Sequence, residues 1–92
     1  MIDEETLRDA LVEGIAECAA VTVDEAEAAI AAAGGDFLFE LDSRQAEWVI
    51  ARVEYLLKLV TPLPKPADLP RNQFATLGAL GTAIAGALEG RQ

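Results

Sequence analysis

The chain has 92 residues, which suits one domain spanning 1–92 and leaves no room for two. Hydrophobic residues make up 52% of it, too many for a disordered chain, yet only five residues are aromatic and 18 are alanine, so a thin helical core of Leu, Val, Ile and Ala is expected. The net charge is −9, with twelve carboxylates against Arg8 alone in residues 1–42 (net −11) and +2 in residues 43–92; this argues against a nucleic-acid backbone as ligand and suits partners with basic surfaces.

The first helix is predicted from about Asp3 to Ala20. Asp3, Glu4 and Glu5 lie in its first turn, where carboxylates offset the positive end of the helix dipole. Leu7, Leu11, Ile15 and Cys18 repeat at helical spacing and form its buried stripe, with Cys18 acting as a small hydrophobe. A short second helix follows. Thr22 and Glu25 have capping-box spacing, Ala26, Ile30 and Ala33 are placed to face the core, and Gly34-Gly35 is a C-terminal stop. Asp36 to Leu41 reads as a packed loop with Phe37, Leu38 and Phe39 as anchors, and no segment looks like a strand partner for it.

The strongest helix is predicted from Ser43 to about Leu59. Asp42 is its N-cap and Gln45 completes a capping box; Ala46, Val49, Ile50, Val53, Leu56, Leu57 and Val60 form its apolar stripe. Pro62 ends it at or before Thr61. Pro62, Pro64, Pro66 and Pro70 mark a stiff connector, with a single turn at Ala67–Leu69. The last helix is predicted from a Thr76 cap to about Glu89, with Leu77, Leu80, Ile84 and Leu88 inward. Gly78, Gly81 and Gly86 each cost it about 1 kcal/mol relative to alanine, tolerable where they admit a close neighbour. The expectation is therefore an all-α, small four-helix bundle, with an extra short helix between the first helix and the Ser43 helix.

This composition makes an enzyme hard to build. There is no histidine to serve as a general base near neutral pH. One cysteine permits no internal disulfide, is compatible with a reducing compartment and offers no zinc-ligand cluster. No glycine-rich phosphate loop or calcium-loop spacing is present. The acidic start does not read as a secretory leader, and the 17-residue uncharged run Asn72–Leu88 falls short of a membrane span of about 20 apolar residues. A cytoplasmic monomer without membrane or nucleic-acid partners is expected.

Ser43 is the residue that invites chemistry, because a serine in the first turn of a helix presents its hydroxyl to solvent. A phosphate attached there would sit near free backbone amides and the positive dipole end. Phe39-Glu40-Leu41-Asp42-Ser43, followed by Ala46, Val49 and Ile50, resembles the motif of the acyl and peptidyl carrier protein family. Leu59-Val60-Thr61-Pro62-Leu63-Pro64 is similar to that family's exit from the serine helix, and Phe74-Ala75-Thr76-Leu77 to its entry into the last helix. The chain departs from the pattern at Glu40, where the family usually has glycine, at Arg44, where it usually has Leu or Met, and at Trp48, where a glutamate is common.

The resemblance implies a four-helix carrier whose cofactor is 4'-phosphopantetheine, joined covalently to Ser43 beside Asp42 and Arg44. A phosphopantetheinyl transferase would attach the arm. Acyl- or aminoacyl-handling enzymes of a specialised biosynthetic pathway would use the thioester, meeting the carrier through Arg44, Glu47, Trp48 and Arg52. The carrier would do no chemistry itself; its role is tethering, which raises the effective concentration of the intermediate. Two alternatives stand beside this reading: an unmodified interaction module of the same fold, and an acidic protein that binds a basic partner.

Overall fold

The computed structural model describes residues 3–60 and 62–89. Among them are four α-helices: α1 (Glu4–Ala19), α2 (Val23–Ala33), α3 (Ser43–Leu56) and α4 (Leu77–Glu89), with 3-10 turns at Pro66–Asp68 and Arg71–Gln73 before α4. The all-α four-helix bundle expected from the sequence is what the chain forms, with α2 as the extra short helix.

Local chemistry sets each boundary. Asp3 caps α1 by accepting from the Thr6 amide at 2.7 Å. The α2 capping box is reciprocal: the Glu25 amide donates to Thr22 Oγ1 at 3.1 Å and the Thr22 amide to Glu25 Oε1 at 3.0 Å. α2 ends on Gly34, whose φ of +109° suits glycine, and the Gly35 amide returns to the Ile30 carbonyl. α1 ends differently: Ala20 takes the left-handed conformation, φ 59°, without a glycine to ease it.

α1 lies at the centre, packed chiefly on α3 and also against α2 and α4. Leu7, Leu11 and Ile15 meet Ala46, Val49, Ile50 and Val53 of α3, Ile30 of α2, and Leu77, Leu80 and Ile84 of α4 in one buried cluster. Gly14 sets the α1–α3 separation. A Cβ there would stand 3.3 Å from Val49 Cα, so the absence of a side chain allows this close approach.

Several expectations are corrected. Cys18 is exposed rather than buried, because the last turn of α1 runs past the core and residues 17–20 all face solvent. Ala33 is exposed, being the last residue of α2. α3 stops at Leu56, before Pro62 is reached: Lys58 adopts a left-handed φ of 54° and the Leu59 amide turns back to the Glu54 carbonyl. Val60 is consequently 99% exposed instead of extending the apolar stripe. Thr61 and residues 90–92 lie outside the described residues, as do Met1 and Ile2.

The connector between α2 and α3 does have a pairing partner. Glu40 and Thr76 form an isolated antiparallel bridge, and the Leu41 amide donates to the Ala75 carbonyl at 2.8 Å. The first amides of α4 are satisfied by the same segment: Leu77 donates to the Phe39 carbonyl at 3.0 Å and Gly78 to the Asp36 carbonyl at 2.9 Å. Thr76 Oγ1 accepts from the Ala79 amide, so α4 is capped partly by its own threonine and partly by the connector. Of the three expected anchors, Phe39 packs on the core; Phe37 and Leu38 lie on the surface, against Gly78 and Gly34 respectively.

Ionic links hold elements of the bundle together. Arg8 of α1 binds Glu27 of α2 through both terminal nitrogens, at 2.7 and 2.9 Å, and Asp36 of the connector at 3.0 Å. Paired carboxylates raise the affinity of the guanidinium for its proton, and the guanidinium in turn holds the Glu27 carboxyl below its ordinary range. Glu54 of α3 accepts from Lys65 Nζ at 2.8 Å and from the Leu63 amide, docking the proline-rich segment so that Leu63 is buried.

Candidate functional site around Ser43

Ser43 is the first residue of α3 and is exposed. Two contacts fix its backbone. Asp42 Oδ1 accepts from the Gln45 amide at 2.8 Å while Gln45 Oε1 accepts from the Asp42 amide at 2.9 Å, closing the predicted capping box. On the N-terminal side Leu41 is buried and bonded to Ala75; on the C-terminal side Ala46 is fully buried. The serine thus stands on a first turn anchored at both ends, with its hydroxyl outside. The amides of Ser43 and Arg44, at the first two positions of α3, find no partner among the described residues.

The residues expected around it divide into two groups. Asp42, Arg44, Glu47 and Trp48 are all exposed on the turn of Ser43 and the next one, Trp48 at 48%. Arg52 is half-buried and engaged with α1: its Nε lies 2.7 Å from Glu17 Oε2, although the N–H is not aimed at that oxygen, so the pair is a charge contact rather than a hydrogen bond. Its guanidinium also covers the Tyr55 ring at 4.9 Å. Tyr55, 71% exposed, belongs to the same outer face and was not singled out from sequence. Its position seven residues after Trp48, off the apolar stripe, is the signal that points to it.

Open grooves lie elsewhere among the described residues, two of them lined by Phe37. One, of about 310 Å³, runs between Leu7 and Leu11 of α1 and Gly78 and Gly81 of α4; the other, of about 450 Å³, reaches from Gln73 to Gly86. Neither is lined by Ser43 or by α3. Among the described residues there is no cluster of metal-ligating side chains, and no helix long and apolar enough to cross a membrane.

Comparison with known proteins finds no matching family model, no matching curated protein and no matching solved structure. The likeness to carrier proteins therefore rests on the sequence landmarks around Ser43, Pro62 and Thr76.

Proposed function

We propose that the chain is a carrier protein that holds acyl or aminoacyl intermediates as thioesters on a 4'-phosphopantetheine arm attached to Ser43. The observation that supports this reading best is the exposed Ser43 hydroxyl at the first position of α3, behind a closed Asp42–Gln45 capping box. A phosphodiester formed there gains from the unpartnered amides of the first turn and from the positive end of the helix dipole. Arg44, exposed beside it, supplies a cation in reach of that phosphodiester, offsetting the unfavourable placement of a basic residue in a first turn.

The chain itself acts as a tether, and the thioester chemistry belongs to phosphopantetheinyl transferase and to biosynthetic enzymes that handle the cargo. Those partners bind in succession over α3, so contacts there have to be weak and rapidly reversed.

The test is intact mass after co-expression with a promiscuous phosphopantetheinyl transferase. The expected result is a gain of one phosphopantetheinyl group, absent from Ser43→Ala. No gain with several transferases would replace this reading with that of an unmodified interaction module, which the departures at Glu40 and Arg44 favour.

A further inference from the structure

Phe37 is fixed yet uncovered. Its ring lies over Gly78, where a Cβ would stand 2.5 Å from Phe37 Cγ, and the residue is still 67% exposed. The groove of about 450 Å³ is lined by this ring and by Ala79, Thr82, Ala83 and Gly86, with Asn72 and Gln73 at the end where α4 begins. None of these residues ionises. The one hydroxyl there is already satisfied: Thr82 Oγ1 donates to the Gly78 carbonyl at 3.0 Å, so covering it orphans no donor. Gly86 faces open space, with nothing within 4 Å of where a Cβ would be. Gly78, Thr82 and Gly86 are spaced by four residues and share one face of α4, rising about 12 Å from first to last. That face carries a standing ring at one end and an apolar hollow at the other.

We propose that this face pairs with the same face of a second copy of the chain, antiparallel about a two-fold axis at Thr82. In that register Gly78, with Phe37 on it, stands opposite the second copy's Gly86, and each ring enters the other's hollow. A patch that holds both knob and hole is what an isologous contact requires. The charges agree with this direction. Arg71 precedes the groove and Glu89 lies one turn beyond Gly86; both are exposed, and neither is ion-paired among the described residues. Antiparallel pairing brings Arg71 of each copy toward Glu89 of the other. Asp36, next to Phe37, is already held by Arg8, and Glu4 and Arg8 line the neighbouring groove instead of this one. With a net charge of −9, two copies repel on most other approaches, and a basic partner is drawn to the acidic residues of α1 rather than to an uncharged face. The face is small, which places the pairing in the transient class that buries less than about 1,200 Å² in all. Such pairing goes beyond the monomer expected from the sequence. It does not depend on Ser43, which lines neither groove.

Sedimentation equilibrium of the intact protein, from about 10 μM to about 1 mM, reads the pairing. The weight-average mass is expected to climb from one chain toward two and to level there. Added salt is expected to shift the climb to lower concentration, because screening relieves the repulsion between like-charged copies. Thr82→Glu and Thr82→Lys each set two like charges face to face at the axis, and each is expected to weaken pairing at least about tenfold. An equimolar mixture of the two is expected to pair again, a rescue that needs Thr82 of one copy against Thr82 of the other. Phe37→Ala is expected to give the same loss with helical content unchanged by circular dichroism, and this arm stands without the Thr82 variants. A single-chain mass at every concentration overturns the proposal. Pairing that survives Phe37→Ala, or that the mixture fails to restore, overturns it too, as does a mass that grows past two chains, the mark of an open head-to-tail contact. A single chain that instead floats with phosphatidylcholine vesicles, and loses this in Phe37→Ala, overturns it in favour of a lipid surface. Ser43→Ala is expected to pair as the parent does, so failure of the carrier reading and failure of the pairing are told apart.

Discussion

The ring of Phe37 lies across Gly78: a Cβ built on that glycine would stand 2.5 Å from Phe37 Cγ. The contact explains a glycine inside α4, where it otherwise weakens a helix. It also explains why Phe37 is 67% exposed and still fixed, since the Gly78 amide bonds to Asp36 beside it. Gly78→Ala is expected to destabilise the fold, by about 1 kcal/mol after the helical preference of alanine is deducted from an overpacking cost of about 2 kcal/mol. In a Phe37→Ala background the same substitution is expected to stabilise. Chemical denaturation of the four proteins completes the cycle, and an equal effect of Gly78→Ala in both backgrounds would refute the contact.

Gly86 is the converse case. It is exposed near the end of α4, and a Cβ there meets nothing within 4 Å. Gly86→Ala is expected to raise stability by about 0.5–1 kcal/mol, read as a higher denaturation midpoint with unchanged slope.

Ala20 closes α1 with φ 59°, a conformation that crowds a Cβ. Ala20→Gly is expected to stabilise by up to about 1 kcal/mol, the relief of strain exceeding the added freedom of the unfolded chain. A melting temperature that falls would show that Ala20 makes contacts outweighing the strain.

How much of this was legible in advance depended on how local the cause was. The Thr22–Glu25 and Asp42–Gln45 boxes, the Gly34 stop and the inward face of α3 were all readable, because each is decided within a turn or two. What tertiary neighbours decide was not. Cys18 continues a helical stripe perfectly well, but the core ends one turn earlier. Pro62 looked like the terminator of α3, whereas Glu54, by holding Leu63 and Lys65, goes with an earlier exit at Lys58. The connector showed no strand pattern because its pairing with Thr76 is a single bridge. At the site, Ser43 and Asp42 were legible from capping rules; the withdrawal of Arg52 to Glu17 was not, since it needs the packing of α1 on α3.

The Arg8–Glu27–Asp36 link makes stability depend on pH. Glu27 is held below its ordinary value of 4.5 chiefly by its hydrogen bonds to Arg8. A carboxyl depressed in the folded state contributes stability that is fully present above its unfolded pKa and is lost as pH falls through the folded one. Stability should therefore decline below about pH 4.5, while Arg8, whose pKa is raised further above an already high value, adds no slope there. Asp3, lowered by the Thr6 amide, adds to the decline at somewhat lower pH. Arg8→Met is expected to lower stability at pH 7 and to flatten the acid limb. Urea midpoints from pH 7 to pH 3 measure both, and an unchanged slope in the variant would mean that other carboxylates govern the acid transition.

Asp42 holds two roles that substitution separates. As N-cap it accepts from the Gln45 amide and so keeps the first turn of α3, with Ser43 on it, in helical form. Asparagine offers the same acceptor without the charge, whereas alanine offers none. Asp42→Asn is expected to keep the melting temperature close to that of the parent, and Asp42→Ala to lose about 1 kcal/mol. Amide hydrogen exchange at Gln45 and Ala46 should quicken in the alanine variant alone, because fraying of the first turn exposes those two amides first. If exchange there quickened equally in both variants, the charge on Asp42 rather than its hydrogen bond would be holding the turn that presents Ser43.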